Sequence, residues 1–239
     1  MTARDLMVTM LNGSLAAAAD PHRAPKQQAY MKSTMPFFGI TAPILQKICR
    51  QAFATYPCED AAHWFERIMV MWRQATHREQ RHCAIYLLGA RQYQNWLNTR
   101  QLGQLEEIIV TGAWWDYVDP VAVNQFGRLL SNEPDTMIPV LHTWSQGENI
   151  WKRRTAMLAQ LKFKERTDFK LLTELIEPSI QEKDFFLRKA IGWVLREYSK
   201  TDPDCIISYV NKNADRLSGL SKREAFKVML KNGQVTSVP

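Results

Sequence analysis

Three segments of the 239-residue chain bring chemically useful residue types together. In Trp114-Trp115-Asp116-Tyr117-Val118-Asp119, Trp115 and Asp119 stand four apart and share one face of a helix. A π face and a carboxylate then lie side by side, and both attract positive charge. Trp114 and Val118 fall on the neighbouring face and read as core. In Asn149-Ile150-Trp151-Lys152-Arg153-Arg154, three consecutive cations cannot all point one way, so at least one faces away from the core. In Phe185–Tyr198, Trp193 and Arg196 are three apart, as are Lys189 and Gly192. Glycine is a poor helix former, and there it marks a close approach. Each segment also has an ordinary reading: a tryptophan pair is usually core, and an aspartate on a helix is usually a cap or a surface charge. Spacing alone does not select an enzyme.

The elements that must carry these residues read as helices throughout. Ala61, Trp64, Phe65, Ile68, Met69 and Trp72 make one apolar stripe at three and four spacing. The same period recurs in Arg81–Arg91, Leu102–Val110, Met137–Trp144, Trp151–Leu161, Leu171–Glu177, Phe185–Tyr198 and Ile206–Asn211. No segment sustains strand alternation. Breaks are expected at Pro21, Pro25, Pro57, Pro134, Pro178 and Pro203. Thr201-Asp202-Pro203-Asp204 reads as a helix start, and Ser221-x-x-Glu224 as a capping box opening the last helix. Leu6–Ala19, interrupted by Thr9, Asn12, Gly13 and Ser14 and preceded by the pair Arg4-Asp5, reads as an amphipathic helix rather than a signal peptide. From about Glu59 the helices group in pairs of some 35–45 residues, a period that suits an α-solenoid of HEAT type, with a compact bundle as the alternative. The expected organisation is one all-α domain: N-terminal helices over 1–58, helical repeats over 59–231 and a tail over 232–239.

Composition narrows the partner. The net charge is +7. Residues 1–120 carry 12 Lys/Arg against 10 Asp/Glu, and residues 121–239 carry 19 against 14, so the excess sits mainly in the second half. It clusters at Lys152-Arg153-Arg154, Arg188-Lys189 and Lys222-Arg223 on separate predicted helices. On the concave face of a solenoid such clusters make a basic groove able to track a phosphate backbone. Cys49, Cys58, Cys83 and Cys205 form no CxxC pair, which argues against a zinc or iron–sulfur site and reads as reduced core cysteines of a cytoplasmic protein. No metal or cofactor is expected. No apolar run reaches membrane-spanning length.

These segments, in this order, resemble the AlkD family of DNA alkylation repair proteins, the HEAT-like-repeat DNA glycosylases. The likeness covers most of the chain. It includes Tyr30-Met31-Lys32, Phe38-Gly39-Ile40, Glu107-Ile108-Ile109-Val110-Thr111, Trp114–Asp119, Asn149-Ile150-Trp151 with Arg154, and Gln160-Leu161-Lys162. It continues through Lys189–Tyr198 and Ser221-Lys222-Arg223-Glu224-Ala225. The resemblance implies a catalytic cleft of Trp115, Trp193, Asp119 and Arg154. Pro120, directly after Asp119, and Gly112 are the residues able to bend the helix carrying that aspartate.

The chemistry that the resemblance implies suits these residue types. Purines alkylated at N3 or N7, such as N3-methyladenine and N7-methylguanine, are cationic, and breaking the glycosidic bond neutralises them. The sugar becomes oxocarbenium-like. Asp119 would stabilise that cation and position water. Trp115 and Trp193 would hold the nucleotide by cation–π contact, and Arg154 would bind an adjacent phosphate. Tyr30, Lys152, Arg153, Arg188, Lys189, Arg196, Lys222, Arg223 and Lys227 are the expected backbone contacts. The resemblance also implies action by a monomer on double-stranded DNA without extruding the base. The competing expectation is a non-catalytic helical-repeat scaffold that binds DNA or a protein.

Overall fold

The computed structural model describes residues 3–239, with side chains from Leu6 onward. Arg4 and Asp5, cited above for the first helix, have side chains outside the described residues. Among the described residues there are fourteen α-helices and no strand, so the all-helical expectation holds, and the short paired helices suit an α-solenoid of helical repeats. The chain forms two compact units, Met1–Gln104 and Leu105–Pro239.

The first unit contains α1 (Ala3–Ala17), α2 (Ala24–Tyr30), α3 (Ala42–Thr55), α4 (Ala61–Arg73) and α5 (Arg78–Leu88). Helix α1 buries Met7, Leu11 and Leu15, four apart, as an amphipathic helix should. Asp60 caps α4, accepting the His63 amide at 2.7 Å. The expected α4 stripe is buried at Trp64, Phe65, Ile68, Met69 and Trp72. The Phe38-Gly39-Ile40 segment has a structural role. Its three amides donate to the buried Glu79 carboxylate at 3.0, 2.9 and 3.2 Å. Gly39 has φ +85°, and a Cβ there would lie 2.2 Å from the Asp20 carbonyl oxygen, so only glycine fits.

The second unit holds all but the first three residues of α6 (Leu102–Gly112), then α7 (Trp115–Val121), α8 (Gly127–Asn132), α9 (Pro134–Gln146), α10 (Ile150–Leu158), α11 (Phe169–Ile176), α12 (Phe185–Tyr198), α13 (Pro203–Lys212) and α14 (Gly219–Lys231). Pro120 does not break its helix. It lies inside α7, and a π-helical turn over Ala122–Phe126 follows before α8 continues the path. Proline donates no amide hydrogen bond, and a π turn is one way a helix absorbs such a defect. Asn124 adds a local tie, donating to the Pro120 carbonyl at 2.7 Å.

Side-chain caps fix the entries of several of these helices. Asn149 accepts from the amides of Trp151 and Lys152 at the start of α10. Asp184 does the same for Phe186 and Leu187 at α12. Asp202, one residue before Pro203, accepts from Cys205 and starts α13 as expected. The capping box at Ser221 and Glu224 does not form. Helix α14 begins three residues earlier, with Ser218 as the cap accepting the Ser221 amide at 3.0 Å, and Glu224 reaches across to α12 instead. Ile191, Val194, Leu195, Ala225, Phe226 and Met229 are buried in the core shared by α12 and α14. Burying side chains of this size contributes about 1.5–3 kcal/mol each.

Candidate active site

Helices α7, α10 and α12 deliver the motif residues to one cleft of about 340 Å³. Its lining includes Trp115 and Asp119 from α7, Arg154 from α10, and Lys189, Trp193 and Arg196 from α12. Trp115 is 38% exposed, whereas Val118 is fully buried. Trp114 packs on Phe186 and Trp151, with ring centroids at 5.2 and 6.1 Å. One tryptophan of the pair therefore supports the cleft and the other faces it.

Asp119 and Arg154 form a two-pronged ion pair. Arg154 Nε donates to Oδ1 and Nη2 to Oδ2, both at 2.7 Å, while Nη1 donates to the Phe186 carbonyl at 2.6 Å. Asp119 is 8% exposed and Arg154 4%. Burial pushes the Asp119 carboxyl above its ordinary value of 3.8, the Arg154 hydrogen bonds and charge pull it back, and neighbouring Asp116 pushes it up again. Arg154 was expected on a phosphate. In the structure three of its five N–H groups are engaged inside the protein, and its fork orients Asp119.

The other predicted contacts are placed differently. Lys189 and Arg196 are in the cleft, both bonded to Glu224. Lys152 pairs with Glu106 at 2.5 Å and lies over the Trp144 ring. Arg153 bonds Ser179, Glu182 and the Pro178 carbonyl. Arg188 bonds the Glu182 carbonyl and Lys222 that of Ala214. Each of those four is tied to a partner outside the cleft, Arg153 most fully, through three bonds. Arg223 and Lys227 are exposed on α14. Tyr30, 79% exposed, ends α2 in the first unit.

Sequence reasoning missed three residues that line the cleft: Phe185, Phe186 and Glu224. Phe185 is 55% exposed and meets Phe186 edge-on at 5.4 Å. For Glu224 the signal was Gly192, which announces a helix crossing without saying which helix crosses. Burial raises the Glu224 carboxyl, but Lys189, Arg196 and Lys227 together bring it below the ordinary glutamate value. It is therefore ionised at neutral pH and is no proton donor.

A larger hollow of about 630 Å³ is lined by Lys162, Lys164 and Tyr198, but neither Asp119 nor a tryptophan lines it. No group of three or more His, Cys, Asp or Glu residues able to hold a metal occurs among the described residues. No described helix is long and apolar enough to cross a membrane.

Comparison with known proteins adds the family. The family model described as DNA alkylation repair enzyme matches residues 11–229. A solved structure, described as a predicted DNA alkylation repair enzyme from Enterococcus faecalis, is 33% identical with a TM-score of 0.74, covering 87% of this chain and 95% of that one. The structure of smu.31 from Streptococcus mutans UA159 shares the fold at 18% identity, with a TM-score of 0.57 over 76% of this chain and 90% of that one. The curated proteins returned no match.

Proposed function

Because the chain belongs to the DNA alkylation repair enzyme family, we propose that it is a glycosylase that hydrolyses the N-glycosidic bond of cationic alkylated purines in double-stranded DNA. The observation that carries this reading is Asp119. It is a buried carboxylate held at both oxygens by Arg154, in a cleft whose lining includes Trp115 and Trp193.

In this reading the C1′–N bond breaks, its electron pair moves to the purine, and the base leaves neutral. Positive charge develops on the sugar. Asp119 stabilises it, and because Arg154 has already oriented the carboxylate, little reorganisation is needed as charge develops. Water adds to C1′ from the side Asp119 faces and loses its proton to solvent. Trp115 and Trp193 hold the cationic nucleotide against their ring faces. Lys189 and Arg196 bind the adjoining phosphodiester, the role first expected of Arg154. The base stays in the stack, a reading supported by the exposed aromatic residues of the cleft: Trp115 at 38% and Phe185 at 55%. We further propose that one chain forms the whole site, since every cleft residue belongs to the second unit.

The test is incubation of the protein with methylated duplex DNA, followed by chromatography of the released bases. Free N3-methyladenine and N7-methylguanine are expected above the spontaneous rate. Binding without release would leave a non-catalytic scaffold.

A further inference from the structure

Glu224 has no part in the chemistry above, yet it is central to the cleft's electrostatics. Its Oε1 accepts from Lys189 Nζ at 2.7 Å and its Oε2 from Arg196 Nη1 at 2.6 Å. Lys189 and Arg196 are seven residues apart on α12, two turns or about 10 Å along the axis, and Trp193 lies between them in sequence. The side chains of Glu224 and Arg196 are mostly buried, at 15% and 21% exposure, while Lys189 keeps 38%.

The carboxylate reaches this place because α14 comes unusually close to α12. A Cβ on Gly192 would lie 2.5 Å from Glu224 Cβ and 2.9 Å from the Ser221 carbonyl oxygen, nearer than such atoms tolerate. Ser221 Oγ adds a second tie, donating to the Arg188 carbonyl at 3.0 Å. One glycine, one serine and one glutamate thus lock the helix pair with the acid between two cations. Two of the three Lys189 N–H groups and four of the five on Arg196 remain for another acceptor beyond those bonds.

We propose that Glu224 is a positioning residue: it presets Lys189 and Arg196, either side of Trp193, as a clamp for the phosphodiester next to the reacting sugar. The proposal rests on the base-excision reading for its substrate. Long cationic side chains lose much rotamer freedom when they seat a phosphate, and a fixed carboxylate removes part of that freedom beforehand. The carboxylate also repels the phosphate, so it trades general affinity for placement. That trade gives opposite signs in two measurements.

The experiment compares wild-type protein with Glu224→Gln and Glu224→Asp. Each is titrated with undamaged duplex and with duplex carrying a tetrahydrofuran abasic-site analogue across a salt series. Each is then run in single turnover on N7-methylguanine duplex at saturating protein. Glu224→Gln should bind undamaged duplex several-fold more tightly, with a steeper salt slope from the released cations. Its saturating rate should fall about ten-fold or more, because small misplacements are costly. Glu224→Asp, which keeps the charge, should restore wild-type binding and part of the rate. Tighter binding at an unchanged saturating rate would reduce Glu224 to a competitor of DNA and overturn the proposal, as would no change in either measurement. Should Glu224→Gln fail to fold by thermal melt, Glu224→Asp carries the comparison alone: its saturating rate must then fall below wild type while its binding does not. If wild-type protein binds both duplexes but releases no base, the base-excision reading fails separately. The clamp is then judged on the preference for abasic over undamaged duplex, which Glu224→Gln should bring towards one.

Discussion

Replacing Arg154 by methionine separates the two roles open to this residue. If Arg154 orients Asp119, its loss removes the interactions that hold the buried carboxyl down, while the burial and Asp116 effects that raise it persist. An opposite charge at this range lowers a carboxyl by about 1–3 units, so the acid limb of base release should move up by that amount. The sign for stability follows. A carboxyl raised above its unfolded value contributes stability that is full below the unfolded value of 3.8 and is lost as pH rises through the folded one. In Arg154→Met the folded value rises further, so the variant should be more stable in mild acid than at neutral pH. Its deficit against wild type, about 3–5 kcal/mol at neutral pH for a broken buried pair, should shrink on acidification. The assays are single-turnover base release and urea denaturation, each at a series of pH values. An unchanged acid limb, with a salt slope of DNA binding lowered by about 0.9, would refute this reasoning and return Arg154 to a phosphate.

Asp119→Asn should lower base release by about 10²–10³-fold while duplex binding stays within a few-fold; near-wild-type cleavage of N7-methylguanine DNA would remove Asp119 from the mechanism. Gly192→Ala should destabilise the protein by about 1–3 kcal/mol in urea denaturation through overpacking against Glu224 and Ser221, although alanine is the better helix former; equal or greater stability would show that the α12–α14 approach is not tight. Defined duplexes carrying one lesion each should show release of N3-methyladenine and N7-methylguanine but not of uracil, hypoxanthine or ethenoadenine; excision of any of these neutral bases would show that a proton donor operates in the cleft.

What was legible in the sequence follows from what is local. Helix α12 begins and ends where the apolar period does, because Asp184 caps it and its core contacts recur along one face. The separation of Trp114 from Trp115 was readable too, since neighbouring helical residues point to different faces. Helix α14 was misread at its start. Ser221 stands three residues before Glu224 as in a capping box, but Ser218 is the cap and Glu224 bonds Lys189 and Arg196, 35 and 28 residues away. Arg154 shows the same limit. Its periodicity left open which of three cations turns away from the core, and its carboxylate partner lies 35 residues away on another helix.

Under the proposed base-excision reading, the two carboxylates of the cleft give a reason for the lesion to bring its own charge. Asp119 is raised by burial, yet the Arg154 guanidinium, bonded to both its oxygens, favours the ion. Glu224 is lowered by Lys189, Arg196 and Lys227 against the effect of burial. No histidine lines the cleft. The two carboxylates that line the cleft are thus held as acceptors by their cations, and Lys189, Arg196 and Arg154 are cations placed for carboxylate or phosphate. In that reading a neutral base would have to leave as an anion with no histidine or neutral carboxylic acid lining the cleft to protonate it. A cationic purine leaves neutral, and the only charge still needing stabilisation is the one developing on the sugar, opposite a carboxylate already in place. In the proposed reading the electrostatic pattern that would make Asp119 effective would also restrict the substrate, so lesion selectivity and the acid limb of the rate should both trace to this one buried pair.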